Sequence, residues 1–127
     1  MQEKPLKLED CECYELDQGR IFIGPSNEKQ SIGYLELNPN QQLTKHNRPV
    51  DEELIQIEGT SVVRIFRSNS IEEVILLSGT TTKIPANKYH IHCNRTNKKS
   101  LTFWRFNGDI TKIIEEIKKN NKKLTKI

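Results

Sequence analysis

Short alternating segments, each closed by turn residues, follow one another about every ten positions from Arg20 to Phe106. Arg20–Gly24 ends at Gly24-Pro25, and Ser31–Leu37 ends at Asn38-Pro39-Asn40. Glu53–Glu58 closes on Gly59, and Ser61–Arg67 turns through Ser68-Asn69-Ser70 into Ile71–Leu77. Thr80–Ile84, Tyr89–Asn94 and Leu101–Phe106 complete a series of eight or nine strands. A strand this short buries one face only when a second sheet covers it, so the pattern predicts an all-β sandwich or barrel. No internal repeat and no strand–helix–strand alternation competes with that reading.

The two ends differ from the middle. Residues 1–17 are polar and are expected to form an arm with at most one short strand; residues 18–107 form the barrel. Within 108–127, Ile110, Ile113, Ile114 and Ile117 make one stripe of a helix, with Asp109 as its expected N-cap. Lys118, Lys119, Lys122 and Lys123 lie toward the negative end of the helix dipole. The stripe is expected to pack on the outside of the barrel or on a partner subunit, and the last residues to fray.

A chain of 127 residues suits one domain. The net charge of +3 sits mostly on lysines after Lys112, which reads as a solvated helix face rather than a nucleic-acid surface. No apolar run approaches a membrane span, and the first residues lack the apolar core of a signal peptide. Three cysteines, Cys11, Cys13 and Cys93, then imply reduced thiols and a cytoplasmic location. Their spacing matches no known zinc site.

Three histidines and one glutamate carry the chemistry. His90 and His92 stand two apart on one strand, so both imidazoles face one side of the sheet, while Cys93 faces the other. His46 and Glu52 come from an upstream segment. Two histidines and a carboxylate from separate strands are what a non-haem divalent metal site requires.

These segments resemble the two motifs of the cupin superfamily. Gly79, Pro85, His90 and Asn94 fall on the second motif without a gap, with Asn87 in place of its inner glycine. His46, Glu52 and Gly59 match the first in register, with Arg48 where the second histidine usually stands and Asn40 where the leading glycine does. The resemblance covers roughly residues 31 to 106. It implies a jelly-roll β-barrel (double-stranded β-helix) followed here by a C-terminal α-helix, a ligand pocket inside, and commonly a homodimer. It also implies a divalent metal ion (Fe, Mn, Zn or Ni) on His46, Glu52 and His90.

Arg48 is always cationic and cannot ligate a metal. Inside the pocket it opposes a cation and competes for Glu52; turned outward, it leaves a three-ligand site. His92 is the candidate replacement ligand or general base. With Arg48 as an anion holder, His92 completes the expected catalytic pair. Gln56, Tyr89 and Arg105 are the expected substrate-pocket residues. Gln56 shares the Glu52 face, whereas Arg105 faces inward only if Phe103, and not Trp104, does.

Three functions compete. The first is a metal-dependent protein binding a small polar substrate for oxygenase- or isomerase-type chemistry. The second is a metal-free isomerase or epimerase. The third is a non-catalytic ligand-binding module. Expected partners are a small molecule and a second copy of the chain, with no nucleic acid and no membrane.

Overall fold

The computed structural model describes residues 6–125. After a 3-10 turn at Leu8–Asp10 come β1 (Glu12–Leu16), β2 (Gly19–Ser26), β3 (Ser31–Leu37), β4 (Gln41–Gln42) and β5 (Glu52–Glu58). These are followed by β6 (Ser61–Phe66), β7 (Ile71–Leu76), β8 (Thr81–Ile84), β9 (His90–Asn94) and β10 (Ser100–Phe106). The helix α1 (Thr111–Asn120) and β11 (Lys123–Leu124) end the chain. The strands form a seven-stranded sheet, β11-β1-β2-β3-β10-β5-β8, and a four-stranded sheet, β4-β9-β6-β7. Every pairing is antiparallel. This is the jelly roll that the alternating pattern requires: each strand turns one face toward the opposite sheet.

Alternation decides which residues fill the interior. On β10, Ser100, Thr102, Trp104 and Phe106 are buried, while Leu101, Phe103 and Arg105 are half-buried. Trp104 therefore faces inward and Arg105 outward, where it pairs with Glu53 at 3.3 Å. Gly33 lies opposite Trp104 in the ladder, and a Cβ at Gly33 would run into the indole ring. The indole thus occupies the space that a side chain on β3 would otherwise fill. Leu35, Leu54, Val63, Ile65, Trp104 and Phe106 belong to one core with Ile110 and Ile114 of the C-terminal segment.

Both ends of the described residues join the larger sheet. β1 pairs with β2 on one side and β11 on the other. Glu12 binds Lys118 at 2.7 Å and Lys123 at 3.2 Å. These two ammonium groups hold its carboxyl down at about 2. Fraying of residues 126–127 lies outside the described residues.

The helix also differs from expectation. Its N-cap position is Ile110, which makes no side-chain cap. Asp109 instead accepts from the Thr111 N–H at 2.9 Å and the Thr111 hydroxyl at 2.7 Å. Burial of Ile110 explains the displacement, because the core draws that residue into the junction. Within the chain, the isoleucine stripe packs against the core of the barrel. Ile110, Ile113, Ile114 and Ile117 line one side of a partly open pocket.

Candidate metal centre

Two of the histidines stand on β9, which pairs with β6. Val63↔His92 and Ile65↔His90 pair across β6, and alternation turns both imidazoles inward. Cys93 packs on the opposite side with Val62, Ile91 and Phe66.

His46 reaches the same face through a bulge. Gln42 pairs with Cys93, and His46 pairs with His90. Four steps on one strand therefore match three on the other. Without the extra residue, His46 would share the outward face of Gln42 and Cys93; one inserted residue reverses it.

Hydrogen bonds then orient the rings. His46 Nδ1 lies 2.9 Å from the Thr44 carbonyl and His90 Nδ1 lies 2.9 Å from the Lys88 carbonyl. A carbonyl only accepts, so each Nδ1 carries a proton and Nε2 is the nitrogen left to ligate. This is how a protein aims an imidazole at a cation. Candidate ligand atoms of His46, His90 and His92 all lie within 4.8 Å of one another. The ring centroids are 4.4 Å apart for His46–His90, 5.0 Å for His90–His92 and 5.5 Å for His46–His92.

Glu52 enters from the other sheet. Its Oε1 lies 3.4 Å from His90 Nε2 and 3.8 Å from His92 Nε2. Glu52 Oε1 and His90 Nε2 are both buried without a hydrogen-bond partner. Two opposed lone pairs at this distance repel unless a positive charge stands with them. A proton would serve the His90–Glu52 pair alone. It would leave the nearby candidate ligand atoms of His46 and His92 unused, whereas one divalent cation can take all three imidazoles. The donor set fits a metal ion.

Electrostatics keep two of the rings neutral. Burial, then the Arg48 charge, then His90 lower the His46 pKa to about 4. His92 is held well below its ordinary value, chiefly by burial and then by His90, His46 and Arg48. A neutral imidazole is the ligating form.

The residues expected at the site separate into two groups. Arg48 lines the cavity beside His46, Glu52 and His92. Among the described residues it forms no ion pair, and its Nη1 donates to the Asn47 carbonyl at 3.3 Å. Gln56 is buried but lies in another part of the interior. Its Oε1 accepts from Ser61 at 2.8 Å and Thr102 at 2.7 Å, and its Nε2 donates to the Glu58 carbonyl at 2.9 Å. That closed network explains its burial without a ligand. Tyr89 is half exposed, with its ring 5.5 Å from Lys45 Nζ. Neither Tyr89 nor the outward Arg105 lines the cavity.

Two motif residues act on the backbone. Asn87 adopts φ 65° and donates its N–H to the Arg48 carbonyl at 2.7 Å, so the turn before β9 fixes the segment that carries Arg48. Asn94 shares its Nδ2 hydrogens among the carbonyls of Leu37, Asn38 and Lys98, at 3.1, 3.2 and 2.7 Å. Its Oδ1 accepts from the Thr96 N–H at 3.0 Å and hydroxyl at 2.7 Å.

The upper part of the cavity was not anticipated from sequence. Leu43, Trp104 and the four isoleucines enclose a volume of about 60 Å³. The isoleucine stripe was visible, but its spacing does not say what it covers.

Fold and centre together define a cupin-fold protein with a cluster of three histidines. No family model matches the chain, and no curated protein matches it. Among solved structures it is similar to vicilin from hazelnut, Corylus avellana. The TM-score is 0.70 at 19% identity, over 79% of this chain and 32% of that one. The chain thus spans about a third of that relative. Bacillus subtilis oxalate decarboxylase, described by its Mn(II) centres, matches with TM-score 0.72 and 18% identity over 80% of this chain and 29% of that one. Drosophila melanogaster CENP-C bound to CAL1 matches with TM-score 0.69 and 18% identity over 77% and 81%.

Proposed function

We propose that this chain binds a divalent first-row metal ion through His46, His90 and His92, with Glu52 beside them, and uses it to hold a small polar ligand. The observation that carries this reading is the gathering of three imidazoles with candidate ligand atoms within 4.8 Å of one another, two of them beside a buried, unpartnered Glu52 oxygen. His92 takes the ligand place that Arg48 leaves empty and is assigned to the ligand set rather than to a general base. Bound there, an Fe, Mn, Zn or Ni ion supplies Lewis-acid polarisation or, for iron or manganese, dioxygen chemistry at its open positions. The chain's own residues do the rest. Nδ1–H bonds to backbone carbonyls orient His46 and His90, Arg48 brings a positive charge to the ligand, and the isoleucines of α1 exclude water. The Mn(II) centres named for oxalate decarboxylase support a metal ion in a barrel of this fold, and oxygenase- or isomerase-type chemistry is our proposal for it.

Elemental analysis of purified protein, before and after incubation with Mn(II), Fe(II), Zn(II) and Ni(II), tests the proposal. One equivalent of one of these ions per chain is expected; none after reconstitution overturns it.

The small, largely apolar pocket favours one second reading, a non-catalytic ligand-binding barrel. Turnover of no small oxo-acid by the metal-loaded protein, with the ligand bound, would select it. In either reading a second copy of the chain is the proposed protein partner. The edge strand β7 supports this, because Ile71 and Ile75 are exposed there beside Leu77. Ile75→Lys, followed by light scattering, tests that contact.

A further inference from the structure

Asp51 stands one residue before Glu52, half-buried, and its carboxylate reaches the backbone of another segment. Its Oδ1 accepts from the Ala86 N–H at 2.8 Å, and its Oδ2 lies 3.2 Å from Lys83 Nζ. The ladder between β5 and β8 ends at the pair Glu52↔Ile84. Asp51 extends the contact past that end, onto the turn at 85–88. The turn is closed by the Lys88 N–H, 3.3 Å from the Pro85 carbonyl, with Asn87 left-handed at its third position.

That turn serves the centre twice. The Asn87 N–H holds the Arg48 carbonyl at 2.7 Å. The Lys88 carbonyl, 2.9 Å from His90 Nδ1, sets the tautomer and rotation of that ring, whose Nε2 lies 3.4 Å from Glu52 Oε1. His46 takes its aim from another segment, through the Thr44 carbonyl. A shift of the turn therefore reaches His90 and not His46. The Lys83 ion pair is exposed and adds little, whereas a carboxylate on a backbone N–H is a charge-assisted tie.

We propose that Asp51 is a positioning residue: by holding the turn at 85–88 against the Glu52 end of β5, it aims His90 at Glu52. The consequence for an ion rests on the metal reading above; the aim of the ring does not. Asp51→Ala frees the turn, so His90 should lose its fixed Nδ1–H form while His46 keeps it. Asp51→Asn keeps an oxygen for the Ala86 N–H and should restore the ring. Ala86→Pro removes the donor instead, at a place where such a turn favours proline, and should reproduce the alanine variant.

Nitrogen–proton NMR correlations of the imidazoles test this on metal-free protein, well above the ordinary imidazole pKa. Calorimetric titration with Zn(II) reads the effect on an ion. Circular dichroism confirms folding of each variant; if Asp51→Ala does not fold, Ala86→Pro decides. Both variants should show mixed His90 tautomers, an unchanged His46 and about tenfold weaker Zn(II) binding. Asp51→Asn should match the wild type in all three. A His90 ring that keeps its Nδ1–H form in both variants overturns the proposal. So does a His46 ring that changes along with His90, or no recovery in Asp51→Asn, because either marks a general loosening of the barrel. A protein that takes up no Zn(II), yet shows the His90 response, defeats the metal centre and leaves the positioning role standing. Equal Zn(II) binding by all the variants defeats the positioning role and leaves the metal centre standing.

Discussion

His46 and His90 exchange both backbone hydrogen bonds: the His46 N–H reaches the His90 carbonyl at 3.1 Å, and the His90 N–H reaches the His46 carbonyl at 2.8 Å. The pair places both rings on one face and locks their separation to the ladder itself. Ring position therefore belongs to the backbone, and a side-chain change at one histidine leaves the strand pairing in place.

His90→Ala should accordingly abolish metal retention while the barrel stays folded. Elemental analysis and circular dichroism read the two effects separately. A molten spectrum would show that the imidazole holds the core together.

Arg48→His should raise affinity for the divalent ion about tenfold, equivalent to about 1.4 kcal/mol. It removes a cation from the cavity and offers a further nitrogen donor. Competition against a fluorescent chelator measures the change; unchanged affinity would mean that the guanidinium does not act on the centre.

Asn94→Ala should cost about 2–4 kcal/mol of stability, because it leaves buried carbonyls of Leu37 and Asn38 without their donor. Denaturant unfolding checks the loss. Metal stoichiometry of the folded fraction should not change, since Asn94 touches no proposed ligand.

Without metal, stability should fall as pH drops from about 6.5 to about 4. His46 and His92 stay neutral in the folded chain but take up protons when unfolded, so the unfolded state binds more protons in this window. Stability therefore rises with pH there, by up to about 1.4 kcal/mol per pH unit for each such histidine. Unfolding curves at pH 7, 6 and 5 test the sign; a flat profile would contradict the burial of neutral rings.

Much of this was legible in the sequence, because period-two burial and turn residues act locally. The Ser31–Leu37 and Leu101–Phe106 expectations fall on β3 and β10 for that reason. Alternation also put His90 and His92 together and Cys93 opposite them. The inward turn of His46 was not readable from parity, since a one-residue bulge reverses it. Arg105 depended on a parity that only the contact of Trp104 with Gly33 decides. Gln56 shows the limit of face arguments: it shares a face with Glu52, yet its side chain hydrogen-bonds to Ser61, Thr102 and Glu58. The covering helix was the largest gap, because amphipathic spacing specifies an apolar stripe and not its partner.

Anomalous diffraction from crystals soaked in Mn(II) tests the central claim most directly. A single strong peak among the Nε2 atoms of His46 and His90, the ring of His92 and the Glu52 carboxylate is the predicted result. Density showing a proton-bridged His90–Glu52 pair, with no peak at any Mn(II) concentration tried, would contradict it.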